Sequence, residues 1–175
     1  MNLENRWFVG FTLSCRERKV GECLGSLGIE YFLPEQIVVR KWSDRLKRMS
    51  KLVIPRMIFI HTTELRRRSL PGDVPGLSRF MSKGGPFNPV IIPDGQMDVF
   101  IRMVTQTEEP VSIASEVLVP GDHVKVVSGP LEGLECELVD VRGDKCIAVR
   151  LHSIGTATMK VSLDAVAKIP ETENK

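Results

Sequence analysis

The sequence predicts two folded parts: an α/β or α+β first part with helices packed on a sheet, then a small β-barrel. Three observations predict this. Apolar residues recur at helical spacing in two separate stretches, they alternate with period two near the end of the chain, and a polar, Pro-containing stretch separates the two regimes. The expected limits are residues 1–106 for the first domain, 107–116 for a linker, 117–170 for the barrel and 171–175 for a frayed tail.

Trp7 to Leu13, "WFVGFTL", is rich in aromatic and β-branched residues and predicts a buried strand opening the first sheet. From Arg16 to Leu27 the period changes. Val20, Cys23, Leu24 and Leu27 fall on one face of a helix and the charges take the other, with Gly28 placed as the C-terminal cap. "IEYFLP" returns to strand character, and "QIVVRKW" predicts another strand. The charged "SDRLKRMSK" that follows reads as a basic hairpin or loop before "LVIP" and "MIFIH". "TELRRRSL" predicts a helical turn broken by "PGDVPGL". After it come the strand-like "SRFM", a "SKGGPFNP" loop and the strand "VIIP". Met97, Phe100, Ile101 and Val104 then recur at helical spacing behind Asp94 as N-cap. "TEEPVSIASE", Thr107 to Glu116, has no period and reads as the linker.

Beyond it, Val124/Val126, Leu134/Cys136/Leu138, Ile147/Val149/Leu151 and Met159/Val161/Leu163 alternate, with turn residues at "SGPLEG", "RGD" and "SIGTAT". Short strands at this spacing predict a barrel that closes its own edges.

A composition of 42% hydrophobic and 26% charged residues suits a folded chain. No apolar run approaches the roughly 18 residues that span a bilayer, and the N-terminus lacks the marks of a secretory signal, so the expected location is cytoplasmic and no membrane partner is expected. Cys15, Cys23, Cys136 and Cys146 form no CxxC pair and His61, His123 and His152 are scattered, which predicts neither zinc nor disulfides. No phosphate-binding loop, nucleophile elbow or metalloprotease motif occurs, so a binding or regulatory protein without cofactor is expected rather than an enzyme.

Charge is unevenly placed. Residues 1–116 carry 17 Lys+Arg against 13 Asp+Glu, and the remainder 7 against 9. Arg40, Lys41, Arg45, Lys47, Arg48, Lys51 and Arg56 are opposed locally by Asp44 alone, and Arg66, Arg67 and Arg68 follow. Such a cluster suits phosphate contact by counterion displacement, independent of base sequence, or else a solvated loop. Most aromatics lie in apolar strand-like runs and read as core.

In their order, "RWFV", the amphipathic helix, "GIEYFLPE", "IPRMIFI", "PVIIPDGQMDVFI" and then "PGDHVKVVSGPLEGLECELVDV" with "LHSIGTATMKVSLDAVAKI" resemble the bacterial NusG family of transcription elongation factors. The last third resembles a KOW motif, with Gly121, Gly129 and Gly133 at its turns. The resemblance implies a NusG-like α+β N-terminal domain that grips the clamp helices of the largest RNA polymerase subunit, lies by upstream or non-template DNA near the fork and suppresses pausing. It also implies an SH3-like KOW barrel that recruits a ribosomal protein or another regulator, in a chain acting as a monomer. By matching positions, Phe8, Met57, Phe59, Phe80 and Phe100 form or support the polymerase patch, and Leu131 and Ile154 the KOW contact. Residues 40–51 named above and Arg66 to Arg68 are the nucleic-acid candidates.

The family's Pro-Gly-Tyr stands here as Pro55-Arg56-Met57, its Gly-Pro-Phe as Gly129-Pro130-Leu131 and its Phe-Gly-Arg as Ile154-Gly155-Thr156. These departures point toward the specialised RfaH or UpxY type, antiterminators of selected long operons such as those for surface polysaccharide. The competing reading is a KOW-type RNA-binding or ribosome-associated protein that acts without polymerase.

Overall fold

A computed structural model describes residues 4–114 and 118–170 of the chain. These divide into two compact units, residues 1–34 with 54–97, and residues 35–53 with 98–175.

In the first unit, β1 (Arg6–Thr12) leads to α1 (Glu17–Ser26) and β2 (Glu30–Phe32). α1 ends as its sequence predicts: Gly28 has φ +69°, and the Ile29 N–H returns to the Leu24 carbonyl. Its buried stripe is narrower than the periodicity suggested, because Val20 and Leu24 are fully buried whereas Leu27 is exposed. The next two strands, β3 (Glu35–Lys41) and β4 (Leu46–Leu52), belong to the second unit, and the chain returns to the first at β5 (Met57–Thr62). α2 (Glu64–Asp73) opens with the Thr63 hydroxyl accepting from the Arg66 N–H. It runs through Pro71 rather than stopping before it. A proline this close to the end removes one hydrogen bond, and the Val74 N–H still reaches the Leu70 carbonyl.

β6 (Leu77–Phe80) and β7 (Ile91–Ile92) complete a five-stranded antiparallel sheet of order β2-β5-β1-β6, with β7 also on β1. One face, carrying Phe8, Ile58, Ile60, Leu77 and Phe80, packs with Val20, Leu24, Leu70 and Val74 of the helical segments into a single core. Each such side chain is worth about 1.5–3 kcal/mol on burial. The unit boundary falls within α3 (Asp94–Thr105), after Met97. Asp94 is the first helical residue and not the cap: the Pro93 carbonyl already accepts from Gln96 and Met97.

The second unit holds the β3–β4 hairpin as a two-stranded sheet of its own. It also holds a six-stranded antiparallel sheet built from β8 (Ser112–Ile113), β9 (Asp122–Val126), β10 (Glu135–Val141), β11 (Asp144–Leu151), β12 (Gly155–Lys160) and β13 (Val166–Lys168). The sheet runs β13-β9-β10-β11-β12-β8, and among the described residues no pairing joins β13 to β8. The expected barrel is therefore seen as an open path with short edge strands, which limits edge pairing in another way. Part of the expected linker carries backbone pairing. Ser112 and Ile113 pair with β12, and the Ala114 N–H donates to the Thr156 carbonyl. Linker residues 115–116, residue 117 and the tail 171–175 lie outside the described residues.

Gly121 is obligatory, since a Cβ there would lie 1.7 Å from the Leu138 carbonyl oxygen. Its N–H donates to Glu137, whose carboxylate takes a two-pronged bond from Arg150 at 2.8 and 2.9 Å, while Arg150 also donates to the Leu118 carbonyl. This network fastens residues 118–121 to β10 and β11. The Arg150 guanidinium, more than any other group, holds the Glu137 carboxyl below the usual carboxylate range.

Candidate nucleic-acid interface

The β3–β4 register pairs Gln36 with Lys51, Val38 with Met49 and Arg40 with Lys47, closing on a two-residue turn at Ser43-Asp44 where Trp42 and Arg45 exchange backbone hydrogen bonds. Residues directly opposite share a face and alternate along each strand. One face therefore carries Arg40, Trp42, Arg45, Lys47, Met49 and Lys51. The other carries Ile37, Val39, Lys41, Leu46 and Arg48, with Glu35 and Leu52 at its base. A run of charge in sequence thus becomes a cationic face and a mixed apolar face.

Among the described residues, Arg40, Arg45, Lys47 and Lys51 form no ion pair, and Arg48 meets Glu108 at 3.5 Å with both ends well exposed. Unpaired cations gathered on one face, with Arg45 and Lys47 about 7 Å apart at the start of β4 and Arg40 opposite Lys47, are suited to phosphate contacts. Trp42, absent from the residues picked out by sequence, is 59% exposed on this face, with the Lys47 ammonium 5.6 Å from its ring centre. Its adjacency to the basic run was the only signal that could have found it.

The hairpin is tied down at its base. Gln36 is buried, and its side-chain amide donates to the Thr107 and Glu109 carbonyls at 3.3 and 2.7 Å while accepting from the Val111 N–H at 2.9 Å. One neutral side chain satisfies three backbone groups of the segment 107–111.

Arg66, Arg67 and Arg68 lie on α2 of the first unit, each beside a carboxylate. Arg67 is buried, bonded twice to Glu64 at 2.6 and 2.9 Å, with its guanidinium 5.5 Å from both the Phe8 and Phe80 ring centres. Arg68 also binds Glu64, and Arg66 binds Asp73 at 2.6 Å. Helical spacings of three, four and seven residues bring Glu64 and Asp73 to these cations, so two carboxylates offset most of the triplet's charge within the first unit. Arg67 above all holds the Glu64 carboxyl below its ordinary range.

The aromatic candidates divide by burial. Phe8, Phe59, Phe80 and Phe100 are buried, because strand or helix periodicity turns each inward, and they can only support a contact surface. Met57 is half-buried. Its cross-strand partner Phe11 is half-buried too and lies under the Arg79 guanidinium at 5.0 Å. Leu131 is buried and lines a cavity of about 350 Å³ with Val126, Ile147 and Met159, whereas Ile154 is partly exposed beside the positive-φ Ser153.

Burial pushes the Cys136 thiol up to about 11 and raises that of Cys146 as well. No group of three or more His, Cys, Asp or Glu side chains placed to hold a metal occurs among the described residues, and no helix there is long and apolar enough to cross a membrane.

The molecule thus combines a sheet-and-helix unit, a second unit built around a small β-sheet, and cations displayed on a hairpin. The family profile described as "Transcription termination factor nusG" matches residues 5–101, over half of the chain, and the chain belongs to the NusG family. Members of this family are non-enzymatic transcription elongation, termination and antitermination factors that bind RNA polymerase. Among solved structures the chain is similar to Thermotoga maritima NusG, described under domain interaction, with 22% identity, a TM-score of 0.46 and coverage of 95% of this chain and 98% of that one. It is also similar to the MjSpt4:Spt5 complex in conformation A, with 12% identity, a TM-score of 0.32 and coverage of 93% and 97%. No curated protein matches the chain.

Proposed function

We propose that the chain binds RNA polymerase during elongation, suppresses pausing and promotes antitermination, in the cytoplasm and on selected long operons such as those for surface polysaccharide. The observation that carries this reading is the β3–β4 hairpin of a NusG-family chain, which gathers Arg40, Arg45, Lys47 and Lys51 on one face for upstream or non-template DNA. The half-buried pair Phe11 and Met57, backed by buried Phe59, supplies apolar surface for the clamp helices of the polymerase's largest subunit. Residues 1–106 form the polymerase-binding domain. Residues 117–170 form an SH3-like KOW domain that takes a ribosomal protein or other regulator near Leu131 and Ile154, and tethering raises the effective concentration of each domain at the other's site.

The test is retention on core RNA polymerase at moderate and high salt, followed on the same complex by terminator readthrough. Salt-resistant retention with increased readthrough is expected, since an apolar contact survives salt that dissolves phosphate contacts. Binding that vanishes with salt and leaves readthrough unchanged would transfer the chain to the RNA- or ribosome-binding reading.

A further inference from the structure

We infer that Trp42 is a base-stacking residue that makes the hairpin's cationic face select nucleic acid with unpaired bases over intact duplex; this rests on the reading that the face contacts nucleic acid. The two tryptophans of the chain are used in opposite ways. Trp7 is buried and stacks on His61 with ring centres 4.8 Å apart and planes 21° apart, whereas Trp42 is mostly exposed and sits next to a two-residue turn. An indole left in water at the end of a strand contributes little to the fold.

Its surroundings say what it fits. Trp42 shares a face with Arg40, Arg45 and Lys47, so a phosphate backbone drawn onto those cations brings its bases within reach of the ring. The Lys47 ammonium braces the ring on one side, and Met49, also exposed on this face, extends the apolar strip. Every base has a π-face, so stacking tolerates sequence, and an unpaired strand offers that face freely. A duplex offers phosphates to the cations but keeps its bases stacked on one another, so the indole gains nothing unless a step is opened. Single-stranded DNA and RNA share the chemistry this site recognises.

The experiment measures binding of the full chain to a fluorescein-labelled oligonucleotide as single-stranded DNA, as single-stranded RNA of the same sequence, and as the DNA duplex, over a range of salt. Wild type is expected to bind one or both single strands more tightly than the duplex. W42A is expected to weaken single-strand binding by about tenfold or more while leaving duplex affinity and the salt slope in place, and W42F to retain most of the wild-type preference. A melting curve of each variant confirms that the fold is kept. Which single strand binds better identifies the source. Equal or tighter duplex binding, or a W42A chain that keeps its single-strand affinity, overturns the stacking role and leaves the cationic-face reading standing. If none of the three probes binds even at low salt, the cationic-face reading falls and the stacking role with it.

Discussion

Arg56 stands in the left-handed region at φ +63°, a conformation glycine adopts without strain. The glycine of the family's Pro-Gly-Tyr falls at this position, and the backbone still asks for one. Two bonds hold the turn: the Arg56 N–H donates to the buried Glu17 carboxylate at 3.0 Å, and the Arg56 carbonyl accepts from the Thr12 N–H. Replacing Arg56 with glycine is therefore expected to raise stability by about 0.5–1 kcal/mol in denaturant melts, the relief of strain outweighing the added freedom of the unfolded chain. A lower midpoint would mean the arginine side chain carries a contact that outweighs the strain. Next to it, Met57 and Phe59 separate by burial. Met57→Asp is expected to keep the melting temperature and lose retention on polymerase, whereas Phe59→Ala costs about 3–5 kcal/mol and abolishes both. Full retention by a folded Met57→Asp chain would remove that side chain from the contact.

At the scale of elements, the hairpin shows why part of the site was illegible in sequence. β4 places its apolar residues Leu46, Met49 and Leu52 three apart, a helical rather than a strand spacing, and the charges between them break any alternation. Its strand character comes from pairing with β3, and the two faces exist only once the register is set. The cations themselves were legible; Trp42 and Gln36 were not, because nothing local distinguishes a stacking ring from a core ring or a three-way amide from a surface one. The ion pairs of the three α2 arginines were hidden for a different reason, since their partners Glu64 and Asp73 lie three to seven residues away and become neighbours only in the helix. By contrast α1, its cap glycine and the hairpin turns of the last third carry their signals locally. Neutralising Arg45, Lys47 and Lys51 to glutamine is expected to flatten the salt dependence of single-strand binding by about 0.7 in log–log slope per residue. An unchanged slope would return these charges to the solvated-loop reading. Gln36→Leu, which strands the Val111 N–H and two carbonyls, is expected to cost on the order of 2–3 kcal/mol in denaturant melts. A loss below about 0.5 kcal/mol would show that water replaces the amide.

For the molecule as a whole, acid is the informative perturbation. Glu64 in the first unit and Glu137 in the second are both held below the ordinary carboxylate range by arginine partners. Each therefore contributes stability that is full above the unfolded-state value, near 4.3, and is lost as pH falls through the lowered folded-state value. Stability is expected to decline with acidification below about pH 4.5, and Glu137→Gln to flatten that decline while lowering stability at neutral pH by roughly 1–3 kcal/mol. Urea melts from pH 3 to 7 read both effects, and an unaltered pH profile in Glu137→Gln would mean that the Arg150 bond is not what couples the second unit to protons.

The four thiols offer a clock for the opening of this molecule. Cys15 is exposed, Cys23 partly so, and Cys136 and Cys146 are buried on β10 and β11. A maleimide added to the native chain should consume Cys15 at once and reach the two buried thiols only when the sheet around them parts. The slow phase of that labelling then times spontaneous breathing of the second unit, with no foreign probe introduced.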